Sequence, residues 1–336
     1  MELESDVPEA TTALPEEPDE LAEIIELVYQ RAAADDTGDL ADYIPELAKA
    51  SPDDFGLGVA TVKGRLYTAG DARKPFSIQS VSKAFTYCLA VEVAGREAVL
   101  RRVGVEPSGD AFNAIEFNPH TRRPYNPMVN AGAITIAGLL YSHLGAGAFD
   151  FILDRLSRAA GRPLAVDENI YRSEVATGHR NRAIAHLLLS VGALSGSVDA
   201  IVNLYFRQCA IRVTAVDLAW MGLTLANLGE NAITKDQVFD LQAVRDTQAV
   251  MFSCGMYDAS GSWAYSVGIP AKSGVGGGLV GVVNRQLGIG AYSPLLDHKG
   301  NTVRGVKALT ALSEELGLHA FDCTKQGSSI VERFLR

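Results

Sequence analysis

The sequence predicts an α+β fold in which a five-stranded antiparallel sheet is flanked by helices and interrupted by an inserted all-helical subdomain. Short apolar segments separated by turn residues predict two strands within residues 56–70 and three within residues 263–292. Between them, apolar residues recur at helical spacing over about residues 100–255. Because strands that are distant in sequence can pair in one sheet, we expect the helical middle to lie beside that sheet as an insertion.

The first part of the chain surrounds a β-hairpin. Apolar residues at three- and four-residue spacing predict a helix that begins near Asp19, and a short helix is expected around Leu47. The hairpin joins strands 56–62 and 65–70 through a tight turn. A helix of about residues 81–93 follows.

The rest of the chain continues with helices and returns to strands. The predicted helices of the middle part are 131–144, 149–160, 182–194, 198–211 and 214–228. Thr214 is a favourable N-cap for the last of them. The later strands are predicted at 263–270, 279–284 and 286–292, and a final helix at 302–316.

Length and charge favour one globular domain with an acidic extension. The chain has 336 residues, of which 47% are hydrophobic, enough for the large core of one domain over residues 21–336. The formal net charge is -10, and residues 1–20 carry eight acidic residues and no Lys or Arg. These residues predict a disordered acidic extension, and the nearly neutral remainder has no basic stripe for nucleic acid.

Membrane and export signals are not expected from the sequence. No apolar run reaches the roughly 18–20 residues needed to cross a bilayer, and the N-terminus is acidic, unlike a signal peptide. The four cysteines are far apart and are expected to be reduced thiols. They are Cys88, Cys209, Cys254 and Cys323. The sequence therefore predicts a cytoplasmic protein.

Two short motifs predict chemistry. The first, Ser80-Val81-Ser82-Lys83, is an S-x-x-K motif, in which one helical turn brings a serine and a lysine to the same face. A serine hydroxyl needs a neighbouring base to become a good nucleophile. A lysine that is partly desolvated near a second cation loses proton affinity, so Lys83 can act as that base.

The second motif, Lys272-Ser273-Gly274, follows a predicted strand and is a relative of K-[ST]-G. Lys272 is a candidate for the second cation, and Gly274 permits a substrate to approach the backbone closely. The N–H groups of Ser80 and Val275 are candidates for an oxyanion hole. An ordinary strand end is the alternative interpretation of this motif alone.

Further polar residues have two interpretations each when they are taken alone. Asn130 stands at a helix entrance, where it can cap the helix or bind a carboxylate. Glu174 can bind an ammonium group or lie on the surface. Tyr205 and Tyr257 can belong to a site or pack in the core. The six histidines have no ligand spacing, so a metal site is not expected.

Several ungapped segments together resemble the serine-dependent glutaminases, the glutaminase A family, whose fold is related to that of β-lactamases. The similarity covers about residues 20–310. The segments are Asp42-Tyr43-Ile44-Pro45, 76–83, 106–109, 126–132, Ser253-Cys254-Gly255-Met256-Tyr257-Asp258 and 270–275.

This resemblance implies hydrolysis of L-glutamine to L-glutamate and ammonia without a metal or organic cofactor. It implies that Ser80 is the nucleophile, Lys83 its base and Tyr257 the proton donor to the leaving ammonia. Tyr43 would line the pocket, and Val275 would offer its N–H to the oxyanion. The residues implied to hold the α-carboxylate and α-ammonium groups are Asn130, Glu174, Asn181 and Tyr205. The family also suggests a homodimer or homotetramer.

Two other functions fit part of the sequence. A β-lactamase or penicillin-binding peptidase would share both motifs, but an S-D-N element and an export signal are missing. A catalytically silent module of the same fold would bind an amino acid without releasing ammonia. The presence of Ser80, Lys83, Tyr257 and Lys272 together favours an enzyme.

Overall fold

The structure, a computed structural model, describes residues 19–109, 115 and 117–322. Apart from Asp19 and Glu20, the predicted acidic extension lies outside the described residues, as does Cys323. The helices are α1 (Glu20–Ala33), α2 (Ser82–Ala94), α3 (Arg96–Arg102), α4 (Asn130–Leu144), α5 (Ala148–Ala160), α6 (Glu168–Thr177), α7 (His179–Ser190), α8 (Val198–Cys209), α9 (Ala215–Ala226), α10 (Leu241–Cys254), α11 (Ser260–Ser266) and α12 (Val303–Leu316). The strands are β1 (Asp39–Leu40), β2 (Gly56–Thr61), β3 (Leu66–Gly70), β4 (Phe76–Ser77), β5 (Ala165–Val166), β6 (Ile211–Val213), β7 (Ala271–Ser273), β8 (Gly278–Val283), β9 (Leu287–Tyr292) and β10 (Leu295–Leu296).

The central sheet contains five antiparallel strands in the order β3-β2-β9-β8-β7. Strand β9 lies in the middle, where Tyr292 is opposite Gly56 of β2 on one side and Gly278 of β8 on the other. Two strands thus come from the N-terminal part of the chain and three from the C-terminal part. The predicted fold class, an α+β fold with a five-stranded antiparallel sheet, is confirmed.

One predicted strand is wrong. Residues 263–270 do not form a strand, because helix α11 extends to Ser266 and the edge strand β7 begins only at Ala271. Trp263 and Val267 are both buried and are four residues apart, which is helical spacing. The indole Nε1 of Trp263 also donates to the carbonyl of Ile269 at 2.7 Å, which holds the following turn.

Helices cover both faces of the sheet. On one face, α9 packs directly on β9 and β2. This close approach depends on glycine, because a Cβ atom on Gly290 would lie only 2.0 Å from the carbonyl oxygen of Ala215. On the other face, α1 and α12 pack on each other and share an apolar cluster with the sheet, including Leu21, Ile289 and Leu312.

Most of the remaining helices form a second layer of packing beside α9, whereas α11 packs through Trp263 in the cluster that contains α1 and α12. Helix α2 contacts α4 and α10, and α4 also contacts α7 and α8. The helical stretch Asn130–Ala160 is long and apolar enough, by length and composition alone, to cross a membrane, and 39% of its most apolar 18 residues are buried. A 3-10 turn at Gly145–Gly147 divides it into α4 and α5, and α4 is buried between its neighbours. This apolar stretch therefore contributes to the core of the helical layer.

Candidate active site

Ser80 lies in a 3-10 turn, Gln79–Val81, that leads directly into α2. Its side chain is buried. The turn lies against the end of the edge strand β7, since a Cβ atom on Gly274 would be 3.2 Å from the backbone nitrogen of Val81. The two sequence motifs thus meet at one place, and glycine is the residue that permits the contact.

Lys83 is fully buried one helical turn after Ser80. Its ammonium nitrogen donates to Asn130 Oδ1 at 2.6 Å and to the carbonyl of Met128 at 3.3 Å. Burial lowers the pKa of Lys83 to about 8, although the charge of Glu174 acts in the opposite direction. Part of the Lys83 population is therefore neutral near physiological pH, and a neutral amine can accept a proton.

Tyr257 and Lys272 complete the other side of the cluster. The Tyr257 phenol donates to the carbonyl of Ser273 at 3.0 Å and is also hydrogen-bonded with Ser80. Burial raises the pKa of Tyr257, and the hydrogen bond with Ser80 lowers it. The phenol is thus protonated and lies within hydrogen-bonding reach of the serine hydroxyl.

Lys272 lies over the face of the Tyr257 ring, with Nζ 4.2 Å from the ring centroid. The same ammonium donates to the carbonyls of Gly255 at 3.1 Å and Ser273 at 2.5 Å. Burial lowers the pKa of Lys272 well below its usual range, and the charge of Lys83 lowers it further. Lys83 thus acts on the pKa of Lys272, whereas the pKa of Lys83 is lowered by burial, so the effect of Lys272 on Lys83 that the sequence predicts stays a prediction.

A chain of polar side chains continues from Lys83 into the helical layer. Asn130, at the start of α4, accepts from Lys83 and donates through Nδ2 to Asn181 Oδ1 at 3.0 Å. The Tyr205 hydroxyl also donates to Asn130 Oδ1, at 3.4 Å. These three side chains, from α4, α7 and α8, are all buried. They present amide and phenol donors of the kind that bind a carboxylate.

Glu174 is a buried carboxylate at the same site. The Tyr43 hydroxyl lies 3.2 Å from Glu174 Oε1 and 3.2 Å from Gln79 Oε1. Burial raises the pKa of Glu174 to about 7, while hydrogen bonds with Gln79 and Tyr43 and the charge of Lys83 lower it. Although Tyr43 is 47% exposed as a whole residue, its hydroxyl points inward, so the ring covers the acid.

Val275 follows β7 in the turn that connects this strand to β8, and its side chain is buried. The neighbouring Gly276 lies beside the strand before the nucleophile, because a Cβ atom there would be 2.6 Å from the carbonyl of Ser77. The 274–278 turn therefore runs along the segment that carries Ser80. All the site residues named from the sequence thus lie around one site, and all of them except the partly exposed Tyr43 are buried.

Two residues of this cluster were not predicted from the sequence. Gln79 is 1% exposed, precedes Ser80, and contacts both Tyr43 and Glu174. Cys209 is buried and hydrogen-bonded with Tyr205 and Ser82. A glutamine or a cysteine has no sequence signal of this kind, since only their neighbours in space make them part of the site.

The described ranges 19–109, 115 and 117–322 contain no cluster of three or more His, Cys, Asp or Glu side chains that could hold a metal ion. The nucleophilic cluster is instead built from a serine, two lysines and a phenol. Side chains of these types are able to support acyl transfer by exchanging protons with their neighbours.

A family model described as Glutaminase matches residues 38–321. The chain belongs to the glutaminase family. This glutaminase is therefore a hydrolase of an amide carbon–nitrogen bond, and its family reaction converts glutamine to glutamate. The predicted family resemblance is confirmed, and the match does not favour the β-lactamase alternative.

Similar proteins agree with this family. The chain is 48% identical to Glutaminase of Nostoc sp. over 314 residues, which are 93% of each chain. It is 54% identical to Glutaminase 2 of Bradyrhizobium diazoefficiens over 291 residues. That alignment covers 87% of this chain but only 46% of the relative, so this glutaminase spans about half the length of that protein.

Solved structures share the fold. One described as the glutamate form of Mglu superposes with a TM-score of 0.86 at 42% identity, and covers 93% of this chain and 72% of the other. The probable glutaminase ybaS gives a TM-score of 0.87 at 37% identity, over 91% of this chain and 99% of that one. The predicted β-lactamase-like architecture of this glutaminase is thereby confirmed.

Proposed function

We propose that this chain hydrolyses L-glutamine through a γ-glutamyl ester on Ser80, with Lys83 as the base and Tyr257 as the acid. One observation carries this proposal: the buried hydroxyl of Ser80 lies beside a phenol and one helical turn from a lysine whose pKa burial lowers to about 8. A neutral amine and a protonated phenol are the two partners that acyl transfer requires.

In the acylation step, neutral Lys83 accepts the proton of Ser80 while the serine oxygen attacks the side-chain carbonyl carbon of glutamine. The resulting oxyanion receives hydrogen bonds from the backbone N–H groups of Ser80 and Val275. Tyr257 donates its proton to the amide nitrogen, the carbon–nitrogen bond breaks, and ammonia leaves. The proton on Lys83 returns to the phenolate, so the site is neutral again.

In the deacylation step, water attacks the ester carbon and gives a proton to Lys83. The bond between the carbon and Ser80 oxygen then breaks, the serine oxygen regains the proton, and glutamate is released. This reaction consumes one water and uses only side chains and backbone N–H groups of the protein, so no metal or organic cofactor is proposed.

The polar groups around the nucleophile match the ends of a free amino acid. We assign the α-ammonium group to Glu174, beside the oxygen atoms of Tyr43 and Gln79. The α-carboxylate is assigned to Asn130, Asn181 and Tyr205, which carry amide and hydroxyl donors. Glu174 would be left without a charged partner, and the buried donors without an acceptor, so analogues of glutamine that lack either the α-ammonium or the α-carboxylate group are expected to bind poorly.

A homodimer or homotetramer is proposed from the family, and a cytoplasmic location is proposed from the composition. Both can be measured on the full chain, by light scattering and by fractionation of the source cells.

The acyl-enzyme is tested by trapping it. With glutamine and hydroxylamine, the wild-type protein should form γ-glutamyl hydroxamate, because hydroxylamine competes with water for the ester. Acid-quenched protein should carry one glutamyl group, and peptide mapping should place it on Ser80. Glutamate production without any hydroxamate, together with unmodified quenched protein, would argue for direct attack of water and against the ester.

Replacing Tyr257 by phenylalanine should lower kcat by about 10²-fold or more, since the leaving ammonia loses its proton donor. The ring stays in place under Lys272, so KM should change little. The measurement is steady-state ammonia release. Tyr265→Phe is the matched control, because Tyr265 is 88% exposed on the adjacent helix α11. Equal kcat values for the two variants would leave Tyr257 as a packing residue.

A further inference from the structure

Two buried residues of the site have a backbone conformation that side chains disfavour. Within the described part of the chain, positive φ occurs at six residues other than glycine. Arg122, Leu228, Lys235 and Arg285 are exposed, and loops tolerate this conformation. The other two, Gln79 (φ +46°) and Tyr257 (φ +57°), are buried and belong to the candidate active site.

A positive φ is unfavourable for a large aromatic residue, because its Cβ atom approaches the following carbonyl oxygen. Such a conformation persists only where surrounding groups hold it. The backbone angles also set the direction of the Cα–Cβ bond. If Tyr257 relaxed to negative φ, its ring would leave the position under Lys272, and its hydroxyl would leave Ser80.

The hydroxyl of Ser260 holds this conformation from the backbone side. It accepts a hydrogen bond from the N–H of Met256 at 3.0 Å and donates to the carbonyl of Tyr257 at 2.8 Å. Ser260 is 3% exposed, so water does not compete for these bonds. One hydroxyl thus links the N–H of the preceding residue, Met256, to the carbonyl of Tyr257 itself, which also accepts from the backbone N–H of Ser260.

The turn that carries Ser80 has the same kind of hydrogen bond. Ser82 Oγ donates to the carbonyl of Gln79 at 2.7 Å, again three residues back and again from the end of a short 3-10 turn. Both disfavoured residues of the site therefore have their carbonyl bound by the hydroxyl of the serine three positions later. Ser82 also accepts from Gln208 Nε2 at 3.1 Å, whereas the described bonds of Ser260 go to the Tyr257 turn alone.

We propose that Ser260 is a positioning residue that keeps Tyr257 in its left-handed conformation and so directs the phenol at Ser80. The inference rests on the proposed function, because Tyr257 must act on the reaction for its position to matter. Ser260 does not touch the substrate; it acts only through the backbone of Tyr257.

A matched control lies on the same helix. Ser262 Oγ donates to the carbonyl of Ala259 at 2.9 Å, which is the same three-residue offset. Ala259 has φ -92°, an ordinary value, and Ser262 is exposed. Ser262→Ala therefore removes the same kind of hydrogen bond at a residue, Ala259, whose backbone conformation is ordinary.

The test is a double-mutant cycle on the 336-residue chain. Ser260→Ala should lower kcat by about 10- to 100-fold with KM within about threefold of wild type, because a displaced phenol affects the reaction more than binding. Ser262→Ala should leave kcat unchanged. In the Tyr257→Phe background, Ser260→Ala should cause no further loss, since no phenol remains to be positioned.

Ser260→Cys provides a second variant in case the alanine variant does not fold. It keeps the packing but supplies a weaker hydrogen bond, so kcat should be intermediate. A wild-type kcat for Ser260→Cys would overturn the proposal. So would an equal fold loss from Ser260→Ala with and without the Tyr257 hydroxyl. An unchanged kcat in Tyr257→Phe alone would instead defeat the proposed role of Tyr257, which separates the two failures.

Discussion

Replacing Ser80 by alanine should lower glutamine turnover by about 10⁴-fold or more while the fold is retained. The substitution removes the oxygen that forms the ester, and Lys83 and Tyr257 then have no group between which to transfer a proton. Because Ser80 is small and lies in a turn, alanine leaves the packing nearly intact. The measurements are ammonia release under saturating glutamine and glutamine binding by calorimetry, which should persist.

Ser293→Ala is the control for this substitution. Ser293 is also fully buried, but its hydroxyl has no hydrogen-bond partner, so its removal should leave turnover unchanged. Ammonia release from glutamine and from asparagine should be measured beside the colour change of a chromogenic β-lactam, whose ring opens without releasing ammonia. Turnover of glutamine by Ser80→Ala at a wild-type rate would exclude the serine nucleophile. Hydrolysis of the β-lactam by wild type in preference to glutamine would favour the penicillin-recognising alternative.

Glu174→Gln should raise KM for glutamine by about 10²-fold, with a smaller effect on kcat. The variant leaves the substrate's ammonium group without a charged partner in a buried site. Removing one partner of a buried charge pair costs roughly 2–5 kcal/mol of binding free energy. The measurement is steady-state kinetics at pH 8, where the wild-type carboxyl, whose pKa is raised to about 7, is ionised. An unchanged KM would show that the ammonium group binds elsewhere.

The same variant should be more stable than wild type at alkaline pH. Burial raises the pKa of Glu174 from 4.5 to about 7, so the folded protein binds more protons than the unfolded chain between these values. The contribution of this carboxyl to the free energy of unfolding is therefore fully present below pH 4.5 and is lost as pH rises through 7. At pH 8, Glu174→Gln should raise the free energy of unfolding by about 1–3 kcal/mol.

Urea unfolding at pH 5 and pH 8 measures this difference. The gain from Glu174→Gln should be small at pH 5 and should grow toward pH 8. Glu168→Gln, on the same helix α6 but exposed, should change neither stability nor KM at either pH. A gain that is equal at both pH values would mean that the buried charge is not its source. Binding and stability therefore oppose each other at one buried carboxylate.

The proposed nucleophile, Ser80, was predictable because its partner in the motif is local. Ser80 and Lys83 are one helical turn apart, so their proximity follows from helix geometry alone. The strands were predictable for a similar reason: β2, β3, β8 and β9 are short apolar segments with turn residues between them. Residues 263–270 were misread, since a short helix and the turn after it also form an apolar run.

The role proposed for Glu174 in substrate binding was predictable only from the family resemblance. Helix α6 buries just two of its residues, Ile170 and Glu174, so it has little apolar periodicity and its glutamate resembles a surface residue. No sequence pattern indicated a role for Gln79 or Ser260. Gln79 is unusual for its positive φ, and Ser260 for its hydrogen bond to the carbonyl of Tyr257; neither feature can be inferred from the residue type.

The amino-acid sequence by itself determined the elements whose cause is local: the helices with regular apolar spacing, the hairpin, the S-x-x-K pair and the glycine after Lys272. Only the tertiary structure decided that four distant polar residues share one buried site with Ser80; they are Asn130, Asn181, Tyr205 and Glu174. It also decided that two residues of this site have a disfavoured positive φ. The physical reason is burial. The pKa of a carboxyl or an amine, and the persistence of a disfavoured φ, depend on which groups exclude water around it, and those groups are distant in sequence.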